Sequence, residues 1–69
     1  MSNLPRHIAW LPVWAARFGC SVTRSTLRTT IWRDHREVTI DDDGCLTHAG
    51  EPITLAEAMG LLDLPPRRP

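Results

Sequence analysis

Two turns fix the register of the middle of this chain, and they agree. The stretch from Leu27 to Leu46 reads "LRTTIWRDHREVTIDDDGCL". With Asp34 and His35 as a two-residue turn, Arg33 faces Arg36, an unfavourable pair that leaves a longer turn open, while Ile31 faces Val38 and Thr29 faces Ile40. On the other side Trp32 meets Glu37, Thr30 meets Thr39, and Arg28 meets Asp41. With Asp42, Asp43 and Gly44 as a three-residue loop, Gly44 takes the left-handed position such loops need. Ile40 then faces Leu46, Thr39 faces Thr47 and Val38 faces His48. Both turns place Leu27, Ile31, Val38, Ile40 and Leu46 on one face. A one-residue slip would send each of them to the other side. The expectation is a three-stranded antiparallel meander with one apolar face.

The flanks read as helices. "PVWAARFG" has Pro12 at a plausible first helical position and Gly19 just past the end. A further turn before it is entered at Asn3 and Pro5, so the N-terminal element is expected as a short helix, bent or split at Pro12. Trp10, Trp14 and Phe18 recur every four residues within it, and Trp14 and Phe18 are expected to pack over Ile31 and Val38. Near the other end "TLAE", Thr54 to Glu57, is a capping box. Leu55, Met59 and Leu62 follow at helical spacing, with Ala58 between them. Leu64-Pro65-Pro66 ends that helix, and 64–69 is expected as a frayed Pro/Arg-rich tail. The fold class is therefore α+β, one small domain over 1–69, with the C-terminal helix packed on one sheet face.

Sixty-nine residues allow a single thin core. Such small domains often lean on a disulfide, a metal or a second subunit. The formal charge is zero, but Met1 to Arg33 holds five arginines and no acid, while Asp34 to Pro69 holds eight acids and three arginines. There is no lysine, so every cation is a planar guanidinium. The apolar run from Ile8 to Ala16 is too short for a membrane span and makes a poor signal peptide. A cytoplasmic protein with both thiols, Cys20 and Cys45, reduced is expected.

No cofactor or metal is expected. A calcium loop with Gly44 at its sixth position would place Thr39 first and Gly50 twelfth, and neither fits. Cys45 and His48 have a finger-like spacing, but three residues apart on a strand they point to opposite faces. A cysteine–histidine nucleophile has no supporting signature and little mass in which to build a cleft. The chain is expected not to be an enzyme.

Binding is the remaining class. The uncovered sheet face would display Thr26, Arg28, Thr30, Trp32, Glu37, Thr39 and Thr47, with Arg24 near its start. An exposed Trp32 ringed by threonine and arginine has the character of an interface hot spot. Asp41, Asp42 and Asp43 form an acidic tip suited to an arginine-rich partner. The expectation is a small accessory regulator or inhibitor of the phage or mobile-element type. It would bind a protein through Trp32, Arg28, Arg24, Asp41, Asp42 and Asp43, a second copy of itself being the simplest partner.

The alternative is a sheet-type DNA-binding protein. A three-stranded sheet backed by a helix is loosely similar in outline to the arm-binding domains of integrases. That likeness implies groove reading by Arg24 and Arg28, which Glu37, Asp41 and the neutral charge oppose. "PITLAEAMGLLDLP" resembles the opening helix of an excisionase-type helix-turn-helix, but no recognition helix follows it.

Overall fold

The computed structural model describes residues 4–66. In chain order the elements are α1 (Arg6–Arg17), β1 (Ser21–Arg24), β2 (Arg28–Arg33), β3 (Arg36–Asp41), β4 (Leu46–His48), β5 (Glu51–Pro52) and α2 (Leu55–Leu61). The strands form one antiparallel sheet in the order β1-β2-β3-β4-β5. Both helices lie on the same face, α1 over β1 and β2, α2 over β3 and β4.

The α+β class and the central register are as the sequence implies. All six partnerships across the Asp34–His35 turn occur, from Arg28 opposite Asp41 to Arg33 opposite Arg36. Beyond the acidic turn, Thr39 faces Thr47 and Ile40 faces Leu46, with Gly44 at φ +91°. Ile31, Val38, Ile40 and Leu46 are buried together with Ile8, Leu11 and Ala15 of α1 and Ala58 and Leu62 of α2.

The sheet has five strands rather than three. β1 is added by a hairpin whose two-residue loop is Thr26–Leu27, closed by Ser25 N–H donating to the Arg28 carbonyl at 2.9 Å. Leu27 is therefore not on the inner face; it sits at a turn, 64% exposed. β5 is added by a second tight turn, in which Ala49 and Gly50 both adopt positive φ, +53° and +83°. Neither turn carries the Asn-Gly or Asp-Gly pair that usually announces such a connection.

Helix α1 is one element, starting from Pro5 and running through Pro12. Pro12 lacks the N–H that would bond the carbonyl of Ile8, a cost to an interior turn. Its ring is completely buried, and the apolar area removed from water offsets that loss. Trp14 packs against the core that contains Ile31 and Val38, while Phe18 stays at its exposed margin. Their rings pack on each other, centroids 5.0 Å apart. Trp14 donates its indole N–H to the Pro65 carbonyl at 3.0 Å, and Phe18 remains 41% exposed.

The two helices end alike. After α1, Cys20 N–H bonds the Ala15 carbonyl and Gly19 N–H the Ala16 carbonyl. After α2, Leu64 N–H bonds the Met59 carbonyl and Asp63 N–H the Gly60 carbonyl. Each is a Schellman motif, with Gly19 (φ +91°) and Asp63 (φ +52°) in the left-handed position. In each, the residue after it, Cys20 or Leu64, is buried in the core. The segment read as a tail thus begins on an anchored residue, and 67–69 lie outside the described residues. The capping box opens α2, with Thr54 Oγ1 accepting from Glu57 N–H at 3.2 Å and Thr54 N–H donating to Glu57 Oε1 at 3.0 Å.

Candidate functional site

The face of the sheet turned away from the helices is organised in rows. Its centre is a ladder of four threonines on four adjacent strands, Thr23 opposite Thr30, Thr30 opposite Thr39 and Thr39 opposite Thr47, with Pro52 beyond. Neighbours in such a row stand about 5 Å apart, and β-branched pairs of this kind stabilise a sheet while leaving hydroxyls outward. One flanking row is Ser21, Trp32 and Glu37; the other begins with Arg28 opposite Asp41. Trp32 is 40% exposed, much for a tryptophan in a central part of a sheet.

Of the residues assigned to a binding surface from sequence, Trp32, Arg28 and Asp41 do share this face. Arg24 does not. It pairs with Thr29, which is buried among the core residues, so its side chain belongs to the helix-covered side of the sheet and leaves it at the exposed margin. The sequence puts Arg24 near the start of the open face because nothing in it announces β1; alternation along that strand gives the position to Thr23 instead.

The acidic turn is less free than three adjacent acids suggest. Asp41 accepts from Gly44 N–H at 2.9 Å through its carbonyl and donates its N–H to the Cys45 carbonyl at 3.0 Å. Asp43 Oδ1 accepts from Cys45 N–H at 3.1 Å. That backbone hydrogen bond, with a further one to the Cys45 side chain, holds the Asp43 carboxyl below the usual carboxylate range. The same carboxylate pushes the Cys45 thiol up, by its hydrogen bond and then by its charge. The turn also leans on the start of α1: a Cβ at Gly44 would stand 3.1 Å from Pro5 Cγ and 3.4 Å from the His7 ring. Acids placed there complement the positive end of a helix whose own first turn carries none.

A feature that sequence reasoning missed holds the other end of the molecule together. The Arg33 guanidinium donates Nε–H to the Leu62 carbonyl and Nη2–H to the Phe18 carbonyl. These are the C-cap carbonyls of α2 and α1, which the two Schellman motifs leave without a backbone partner. The only sequence signal was Arg33 itself, on the inner-face parity of β2 where an apolar residue is expected. Arg36, opposite it, reaches Asp63 at 3.0 Å and Asp34 at 3.6 Å.

A second partly apolar surface runs along α1, where Trp10, Val13, Trp14 and Arg17 border a shallow hollow. Trp10 donates its indole N–H to the His7 carbonyl at 2.8 Å. Among the described residues, no three His, Cys, Asp or Glu side chains are grouped as metal ligands would be. Cys20 is buried with Sγ 3.9 Å from the Leu62 carbonyl, Cys45 is exposed, and both are free thiols. No helix among the described residues is long and apolar enough to cross a membrane. The chain matches no protein-family model, no curated protein and no solved structure.

Proposed function

We propose that this chain is a small non-enzymatic binding protein whose working surface is the open sheet face around Trp32. The observation that carries the reading is the position of that side chain. Both helices and all the aliphatic core residues lie on one side of the sheet, while Trp32 stands 40% exposed on the other. Exposing a large aromatic costs stability that burial inside the fold would recover, and an interface is the usual place to recover it. The threonine row offers a polar, low-entropy surround, and Arg28 and Glu37 set opposite charges on the two sides of the row. In the cell such a module acts as an accessory regulator or inhibitor by occupying a protein surface.

Protein is favoured over DNA because Arg24 has left the face. Among the described residues one arginine, Arg28, then stands against Glu37 and Asp41, and a phosphate backbone needs a basic footprint. The test pairs two assays on the full chain. Anisotropy with mixed-sequence duplex DNA at low and physiological salt is expected to show no binding. Partner capture from lysate is expected to be lost with Trp32→Ala and retained with Leu55→Ala, whose side chain is exposed on α2. Tight DNA binding with a steep salt slope, reduced by about one in Arg28→Ala, would overturn the protein reading in favour of DNA.

A further inference from the structure

The sheet has two edges, and only one is closed. At β5, the His48–Glu51 pair flanks a two-residue turn, so the next residue, Pro52 opposite Thr47, turns its backbone outward. Proline has no N–H there, and the strand is two residues long with Glu51 beside it, all standard means of blunting an edge. At β1, the hydrogen-bonded pair Ser25–Arg28 sets the alternation, so Thr23 bonds Thr30 while the N–H and C=O groups of Val22 and Arg24 point away from the sheet. Among the described residues no strand pairs with that side.

Beside this open edge lies an uncovered flank of α1. At 100° per residue, Ile8, Leu11, Pro12 and Ala15 face the sheet. Trp14 and Phe18 fall on the side of α2, where Trp14 meets Pro65. Ala9 and Ala16 fall on the opposite side, with Val13, 56% exposed, next to them. An occupant that satisfies both features must bring a strand edge and a helix flank side by side.

We propose that a second copy of this chain is that occupant, joined through β1 about a two-fold axis. Antiparallel pairing with Thr23 opposite Thr23 of the other copy places the outward groups of Val22 against those of Arg24 in both directions. The two sheets become one of ten strands, and the threonine ladder runs unbroken through it. Ala9, Val13 and Ala16 are small enough for the two α1 helices to meet over the joint. Because Pro52 closes the far edges, assembly stops at two. Both Trp32 faces remain open. Each Arg24 stands opposite a valine, but the two guanidinium groups still repel, so added salt tightens the dimer.

Sedimentation equilibrium on the full chain tests this. The expected result is a mass rising with concentration from 7.8 kDa toward twice that value, with a higher dimer fraction at higher salt. Val22→Pro removes an outward donor and no bond within the sheet, so it is expected to stay folded by circular dichroism and to weaken association at least tenfold. Should that variant unfold, Val13→Asp, at an exposed position, is expected to weaken it similarly. A constant 7.8 kDa mass, or a dimer that both variants leave unchanged, would overturn the proposal.

Discussion

Arg33 and Arg36 stand directly opposite each other across the β2–β3 turn, on the face that the helices cover. Two like charges in that relation repel, and a longer turn would separate them. The fold keeps them because each guanidinium is drawn elsewhere. Arg33 takes the two helix C-cap carbonyls, Phe18 and Leu62, where helix dipoles favour a cation. Arg36 takes Asp34 and Asp63. The end of the sheet thereby becomes the point at which α1, α2 and the hairpin are tied together.

The two arginines are expected to differ sharply in weight. Arg33→Met keeps the stem and removes the charged donors, leaving the Phe18 carbonyl to solvent and the Leu62 carbonyl with only the weak Cys20 Sγ–H donor; a loss of about 1.5–3 kcal/mol in urea unfolding is expected. Arg36→Met removes exposed ion pairs and is expected to cost less than about 1 kcal/mol. Equal losses would contradict the clamp.

Ala49 is a residue in the wrong conformation for its chemistry, at φ +53° in the β4–β5 turn beside Gly50. Asparagine tolerates that region better than alanine and gives the Asn-Gly pair such turns favour. Ala49→Asn is expected to raise stability by about 0.5–1 kcal/mol, seen as a higher melting temperature.

Gly44 is constrained twice, by φ +91° and by Pro5 and His7. Gly44→Ala is expected to destabilise by more than about 1 kcal/mol, since strain at positive φ adds to a contact that must give way. Gly19 has the same φ but open space around it, so Gly19→Ala is expected to cost less in the same unfolding assay.

Asp43 and Cys45 titrate as a linked pair. The Asp43 carboxyl is lowered on folding, so its stabilising effect is complete above the ordinary value of 3.8 and is lost as pH falls below it through the lowered one. Asp43→Asn keeps an acceptor for Cys45 N–H and is expected to flatten the pH dependence of melting in that acid range. It is also expected to bring the rise of Cys45 alkylation with pH back to lower pH, because the carboxylate that raises the thiol is gone. Cys20, buried, is expected to react only on unfolding.

The sequence was most legible where two signals overlapped. The apolar alternation of Ile31, Val38, Ile40 and Leu46 agreed with both turns, and Thr54 and Glu57 cap α2 as their spacing implies. It was least legible where a turn lacks its usual residues. Thr26–Leu27 carries no turn signal, and Ala49–Gly50 only half of one, so β1 and β5 were hidden, and with β1 the side taken by Arg24. Pro12 suggested a broken helix because the core that accepts its ring is assembled from distant strands. The role of Arg33 depends on two helix ends 15 and 29 residues away, which no local pattern encodes. Of the surface itself, Trp32, Arg28 and Asp41 followed directly from the register.

The central claim is that Trp32 lies on a face left open by the fold. Its most direct measurement is acrylamide quenching of a chain with Trp10→Phe and Trp14→Phe, in which Trp32 is the single fluorophore. Native emission and quenching are expected to fall between those of a buried indole and those of the unfolded chain, as 40% exposure implies, and to change little across the concentrations at which the chain associates. Blue-shifted emission that resists acrylamide until the protein unfolds would place Trp32 in a buried environment and contradict the account.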